Sequence, residues 1–146
     1  MVPSCYINHA EEIRVFLALN RVALGVKMRK ILAVDDSASM RQMVSFTLER
    51  AGYDVMQACD GVEALEFAKK ESVDLVLTDV NMPNMDGIDL IKELRNLPGY
   101  THTPILTLTT EGGSDKKQLG RDAGATGWIL KPFNPEVLVD TIAKVI

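Results

Sequence analysis

The sequence predicts an α/β fold in which one sheet of five parallel strands carries helices on both faces. Short apolar runs alternate five times with segments of helical pattern from residue 30 onward. Runs of this length and composition are typical of parallel strands that are buried on both faces. Glycine or proline stands directly after three of the helical segments, where helices commonly end. A chain of 146 residues can bury one such core.

The elements follow in order from this pattern. The apolar runs place strands near residues 30–35, 54–58, 74–79, 104–109 and 127–131. The segments between them place helices at residues 38–51, 61–70, 87–97, 114–123 and from 135 to the end. Gly52 closes the first helix, Pro98 stops the third and Gly124 closes the fourth. Crossovers between parallel strands are right-handed, which leaves few possible strand orders.

The composition is that of an ordinary globular protein, with 47% hydrophobic and 25% charged residues. The net charge of -4 and the scattered lysines and arginines argue against a nucleic-acid binder, which needs clustered cations. Cys5 and Cys59 lack the spacing of a metal site, and His9 and His102 are isolated. We therefore expect free thiols in the cytoplasm and no zinc site.

Residues 1–27 differ from the rest of the chain. Apolar residues at helical spacing run from Ile13 to Leu24, but Arg14, Asn20 and Arg21 interrupt them. This segment fits neither a secretory signal nor a membrane span. We expect residues 1–27 to be an N-terminal extension and residues 28–146 to be the domain. The extension is interpreted as a tag or an upstream start before Met28, or alternatively as an amphipathic helix that docks on a partner.

Polar side chains stand where four of the expected strands end. Asp35 and Asp36 follow the first strand, Asp79 ends the third, Thr109 ends the fourth and Lys131 ends the fifth. Ligands of parallel sheets bind beyond these carboxyl ends, so these side chains should converge. Three carboxylates in one cleft require raised pKa values or a hard cation such as Mg²⁺ or Mn²⁺. With an ammonium and a hydroxyl, they could accept and sense a phosphoryl group.

Simpler roles are open for each of these residues. Asp35 or Asp36 could cap the helix near residue 38, although one residue suffices for a cap and Asp79 stays unexplained. Lys131 could be solvated or could pair with Asp79. Thr109 could reflect only the β-propensity of threonine.

From Lys30 to Ile146 the chain resembles the receiver domain of two-component response regulators, and most of all the stand-alone, CheY-like receivers of chemotaxis. The resemblance rests on residues 31–37, 74–83 with Asp86-Gly87, 109–111, 123–125 and 131–133. It implies the flavodoxin-like strand order 2-1-3-4-5, which is known for CheY itself and is expected here by analogy. It also implies a signalling protein and not an enzyme.

The resemblance assigns the metal ligands and the phosphoacceptor. Asp79 would accept a phosphoryl group from a histidine kinase of the CheA type. Asp36, Asp79 and the carbonyl of Asn81 would bind Mg²⁺ directly, and Asp35 would bind it through water.

It also assigns a switch. Thr109 and Lys131 would hold the phosphoryl oxygens, and the Lys131–Pro132 peptide bond would be cis. Trp128 stands at the switch position, where the family usually has tyrosine or phenylalanine. As Thr109 moves toward the phosphoryl group, Trp128 would fill the space that it leaves.

The partners implied by the resemblance are the kinase, an output protein such as a flagellar motor switch component and, as a further candidate, a phosphatase, with neither nucleic acid nor membrane. Residues 112–114 replace lysines that chemotaxis receivers often use at the flagellar switch, so a phosphate sink or a relay intermediate in a non-flagellar pathway is the alternative.

An aspartyl-phosphate phosphatase would need an aspartate where Asn81 stands, and a flavodoxin-type cofactor binder would need a hydroxyl-rich loop at Asp35-Asp36. A transcription factor would need a DNA-binding domain, for which no room is expected after Ile146.

Overall fold

The computed structural model describes residues 12–13, 15–16, 28–110 and 114–146. From residue 28 onward, the described chain alternates five strands with five helices. The strands are β1 (Lys30–Val34), β2 (Asp54–Ala58), β3 (Leu75–Asp79), β4 (Ile105–Thr109) and β5 (Gly127–Leu130). The helices are α1 (Ala38–Arg50), α2 (Gly61–Lys70), α3 (Gly87–Arg95), α4 (Ser114–Ala123) and α5 (Pro135–Val145). The expected sequence of elements is confirmed.

The five strands form one parallel sheet in the order β2-β1-β3-β4-β5, which confirms the expected topology. The three inner strands β1, β3 and β4 are buried along almost their whole length. The two edge strands differ, since β2 and β5 each leave residues exposed. The expectation of burial on both faces was therefore wrong for the edges, because the side chains of an edge strand lie at the margin of the sheet, where the helices on its faces cover them less completely.

The sheet separates two apolar cores. Side chains of α1 and α5 pack on one face and include Val44, Leu48, Leu138 and Ile142. Side chains of α2, α3 and α4 pack on the other face, and this core includes Ala64, Ala68, Leu90, Ile91, Leu94 and Ala123. Neighbouring residues of β1 divide between the two cores, with Ile31 in the first and Leu32 in the second. This division is expected because successive side chains of a strand point to opposite faces.

The third helix ends at Arg95, two residues earlier than expected. The Arg95 guanidinium donates to the carbonyl of Gly124 at 2.8 and 3.0 Å, and to those of Tyr100 and Thr103 at 2.7 Å each. Asn96 and Leu97 then form short turn bonds back to Glu93 and Leu94. These contacts with distant segments bring the chain out of the helix before Pro98.

The predictions for residues 1–27 fall largely outside the described residues. The described residues 12–13 and 15–16 are helical, and Ile13, Val15 and Phe16 are at least half exposed. Among the described helices, none has the length and apolar character needed to cross a membrane.

Candidate functional site

The strand order brings the predicted site residues to one edge of the sheet. Asp35 follows β1, which pairs with β3, and Asp79 is the last residue of β3. Thr109 ends β4 beside it, and Lys131 follows β5. The sheet therefore presents these four residues in neighbouring positions along its carboxyl edge.

Three carboxylates converge at this edge. Asp35, Asp36 and Asp79 each offer an oxygen, and these oxygens lie within 4.8 Å of one another. Asp35 is buried, Asp79 is half-buried and Asp36 is exposed, so the cluster opens to solvent on one side. Carboxylate oxygens are the ligands that hard divalent cations prefer, and Mg²⁺ keeps several waters where few carboxylates bind it. The residues present therefore fit Mg²⁺.

Lys131 places one positive charge among these three negative charges. Its Nζ donates to Oδ2 of Asp35 at 3.0 Å and lies 3.4 Å from Oδ2 of Asp79. Burial acts to lower the pKa of Lys131, but the hydrogen bond to Asp35 and the charges of Asp79 and Asp35 outweigh it, and the net pKa is raised. The ammonium therefore stays charged at neutral pH, and the cleft keeps an excess of negative charge.

Asp79 has a raised pKa, chiefly because burial penalises its charged form. The charge of Lys131 lowers this pKa and the charge of Asp35 raises it. The Oδ1 atom of Asp79 accepts from the Val80 amide at 2.8 Å, which leaves Oδ2 facing Lys131. This geometry fixes the carboxylate while one oxygen faces the cleft.

Asp35 is held at three points. Oδ1 accepts from the amide of Ser37 at 2.9 Å, Oδ2 accepts from Lys131, and the main-chain carbonyl accepts from Nη1 of Arg41 at 2.7 Å. The cap of α1 is Ser37, whose hydroxyl accepts from the amide of Met40. The acidic pair thus does not cap this helix, contrary to one of the simpler interpretations.

Thr109 and Lys131 are tied to each other by their main chains. The amide of Lys131 donates to the carbonyl of Thr109 at 2.8 Å. Thr109 is only 3% exposed, and the Lys131–Pro132 peptide bond is cis, as the resemblance implies. The backbone segments that carry the Thr109 hydroxyl and the Lys131 ammonium are therefore hydrogen-bonded to each other.

Asn81 lies two residues beyond β3, in an exposed position of the loop that leads to α3. This loop is fastened by Asn84, which has a φ of 67° and whose amide donates to Oδ2 of Asp60 at 2.9 Å. Sequence reasoning missed Asn84 and Asp60. Asparagine tolerates the left-handed region better than most residues, which is the signal that could have identified this turn.

Trp128 faces outward from β5, with 37% of its surface exposed. The Nζ atom of Lys117 lies 4.7 Å from the centre of its ring, and Cζ of Arg121 lies 5.7 Å away. Both cations belong to α4, and both are within the range of cation–π attraction. The indole is therefore packed against cations of α4.

The chain is similar to known proteins in both sequence and fold. The family model for the response regulator receiver domain matches residues 31–143. The chain is 42% identical over 119 residues to a chemotaxis protein CheY homolog of Campylobacter jejuni, covering 80% of this chain and 92% of that protein. It is 41% identical over 119 residues to chemotaxis protein CheY1 of Helicobacter pylori, covering 80% and 96%. The solved structure of chemotaxis protein CheY4 of Vibrio cholerae superposes with a TM-score of 0.80 at 54% identity, covering 82% of this chain and all of that one.

Proposed function

The chain belongs to the response regulator receiver domain family, and we propose that it acts as a phosphorylation-operated switch in chemotaxis signalling. Asp79 accepts a phosphoryl group from a histidine kinase of the CheA type, and the modified domain signals by contact with another protein. The observation that carries this proposal is the position of Asp79, whose Oδ2 lies 3.4 Å from the ammonium of Lys131 within the carboxylate cluster.

The proposed reaction is a phosphoryl transfer between two nucleophiles. Oδ2 of Asp79 forms a bond to phosphorus as the bond between phosphorus and the imidazole nitrogen of the donor breaks. The imidazole leaves with the electron pair of that bond and takes up a proton. Positioning and charge compensation supply most of the catalysis in such transfers.

Asp35, Asp36 and Asp79 are the residues that would hold Mg²⁺, with the carbonyl of Asn81 as a further ligand. Bound there, the cation would offset the repulsion between the carboxylates and the incoming phosphoryl oxygens. Lys131 would exchange an aspartate oxygen for a phosphoryl oxygen, and Thr109 would donate its hydroxyl to another. A few charge-assisted hydrogen bonds of this kind can supply the ~5.5 kcal/mol needed to move a switch from mostly off to mostly on.

The signalling role is favoured over catalysis of phosphate release. A phosphatase that forms an aspartyl phosphate needs a carboxylic acid two residues after its nucleophile, and this chain has Asn81 there. The similarity to chemotaxis proteins of Campylobacter jejuni and Helicobacter pylori favours an output in chemotaxis, for which we propose a flagellar motor switch component as the partner. A phosphate sink or relay intermediate is the second candidate, favoured by Gly112-Gly113-Ser114 in place of lysines. We place the protein in the cytoplasm, with residues 28–146 as the functional unit.

The test uses a small acyl-phosphate donor with Mg²⁺ and intact-mass measurement. The wild type should gain one phosphoryl group, whereas Asp79→Asn should gain none because an amide is no nucleophile. Asp89→Asn is the matched control, since Asp89 is an exposed carboxylate on α3. Labelling of Asp79→Asn at the wild-type rate would refute the assignment.

A further inference from the structure

Arg41 lies beside the carboxylate cluster. Neither the resemblance to receiver domains nor the proposed reaction gives it a role. It stands in the first part of α1, is half-buried, and donates from Nη1 to the main-chain carbonyl of Asp35 at 2.7 Å. Resting on the proposed function, we propose that Arg41 is a positioning residue that orients the Asp35–Asp36 peptide, and with it the Asp36 carboxylate, for cation binding.

The carbonyl of Asp35 lies just past the end of β1. Register pairing between β1 and β3 stops at Val34 and Thr78, so the regular ladder does not extend to this carbonyl. The amide of Asp35 still donates to the carbonyl of Ala58, the last residue of β2, at 3.1 Å. Arg41 thus provides a side-chain donor at the point where the hydrogen-bond ladder between β1 and β3 ends.

This carbonyl belongs to the peptide group that joins Asp35 to Asp36. A peptide group is planar, so fixing its carbonyl oxygen also fixes the direction of its amide and of the Cα atom that follows. Asp35 itself has further anchors, at Ser37 and Lys131. Asp36 is exposed, and its carboxylate reaches the cluster from a backbone whose direction is set by this peptide group.

Electrostatics and positioning predict opposite results when Arg41 loses its charge. A positive charge near a cation site repels the cation, so removing it should tighten binding if charge alone matters. Loss of the hydrogen bond to Asp35 should weaken binding, because groups that orient metal ligands typically contribute about 10- to 100-fold in affinity. The sign of the change therefore separates the two roles.

The experiment measures Mn²⁺ affinity by electron paramagnetic resonance of the free ion, using the full chain. We expect Arg41→Gln to raise the Kd by about tenfold or more. Arg41→Met keeps the aliphatic part of the side chain and is a second test of the same loss. Arg41→Lys returns a charged donor and should recover part of the affinity. Arg50→Gln removes the same charge from the exposed end of α1 and should leave the Kd unchanged.

The outcomes distinguish this inference from the proposed function. A wild-type chain that binds no Mn²⁺ would overturn the proposed metal site. A wild type that binds, together with Arg41→Gln and Arg41→Met variants that bind as tightly or more tightly, would overturn the role of Arg41 alone. Thermal unfolding of each variant is followed in parallel. A merely structural role would lower the melting temperature and leave the Kd of the folded variants unchanged.

Discussion

Gly87 packs directly against the backbone of Asp79, so closely that a Cβ atom at position 87 would overlap the carbonyl oxygen of Asp79. The amide of Gly87 also donates to the carbonyl of Val80 at 2.8 Å. The first residue of α3 is therefore in contact with the proposed phosphoacceptor. Glycine is required here by the close approach, and its φ is not in the positive range.

Gly87→Ala should destabilise the domain by about 1–3 kcal/mol, because the added methyl forces the backbone of β3 and α3 apart. Urea unfolding measures this change. Gly120→Ala is the matched control, since a Cβ there meets its nearest atoms at an ordinary 3.8 Å. That variant should be neutral or more stable by about 0.5–1 kcal/mol, as expected for alanine in a helix. Equal stabilities of the two variants would contradict the crowding at Gly87.

Asp79→Asn should make the protein more stable at neutral pH. The folded state raises the pKa of Asp79, chiefly through burial, so the stability that this group contributes is full below the ordinary carboxyl pKa. This contribution to stability is lost as the pH rises through the raised pKa that Asp79 has in the folded state. The neutral asparagine avoids this loss, and its advantage should shrink as the pH is lowered. Urea unfolding at several pH values tests this, and a stability difference that is constant with pH would contradict it.

Lys117→Gln should cost about 0.5–1 kcal/mol of stability through loss of its cation–π contact with Trp128. A double-mutant cycle with Trp128→Phe and Trp128→Ala measures the coupling directly. The cost should persist largely in the phenylalanine background, which keeps a ring face, and disappear in the alanine background. Lys116→Gln is the control, on the adjacent position of α4. A coupling free energy indistinguishable from zero would show that the contact between Lys117 and Trp128 does not stabilise the fold.

Trp128 emission should change when Mg²⁺ and a phosphate mimic are added. If Thr109 moves toward the phosphoryl group, the indole gains space to turn inward, and its burial removes apolar surface from water. Thr109→Ala removes the sensing hydroxyl but keeps Asp79. The variant should therefore still be phosphorylated and should lose the emission change. The same response in both proteins would exclude this coupling, while the phosphoacceptor assignment would survive.

Deletion of residues 1–27 should leave folding and phosphorylation unchanged, because every strand and helix from β1 onward lies beyond the deletion. Thermal unfolding and intact-mass labelling measure both properties. A truncated chain that unfolds would show that the extension belongs to the domain.

The sequence was sufficient to predict the strand ends and hence the cluster of Asp35, Asp79 and Lys131. Apolar runs have an unambiguous end where the first charged residue stands, and parallel strands bring those ends together. The end of α3 was misplaced because Arg95 binds carbonyls up to 29 residues away, which no local pattern reveals. The partners of Trp128 were missed for a similar reason, since Lys117 and Arg121 meet it only when α4 packs beside β5.

The bonds of Arg95 to the carbonyl of Gly124 have a mechanical consequence for α4. They fasten the last turn of this helix to α3 and to the loop before β4, at the end of the sheet opposite the carboxylates. The ten residues of α4 span about 15 Å, and its first residue, Ser114, lies at the opposite end of the helix from Gly124. When a rigid helix that is held at one end rotates about that end, its displacement increases with distance from it. Displacement of α4 should therefore be smallest near Gly124 and largest toward the proposed phosphorylation site, with Lys117 moving farther than Arg121.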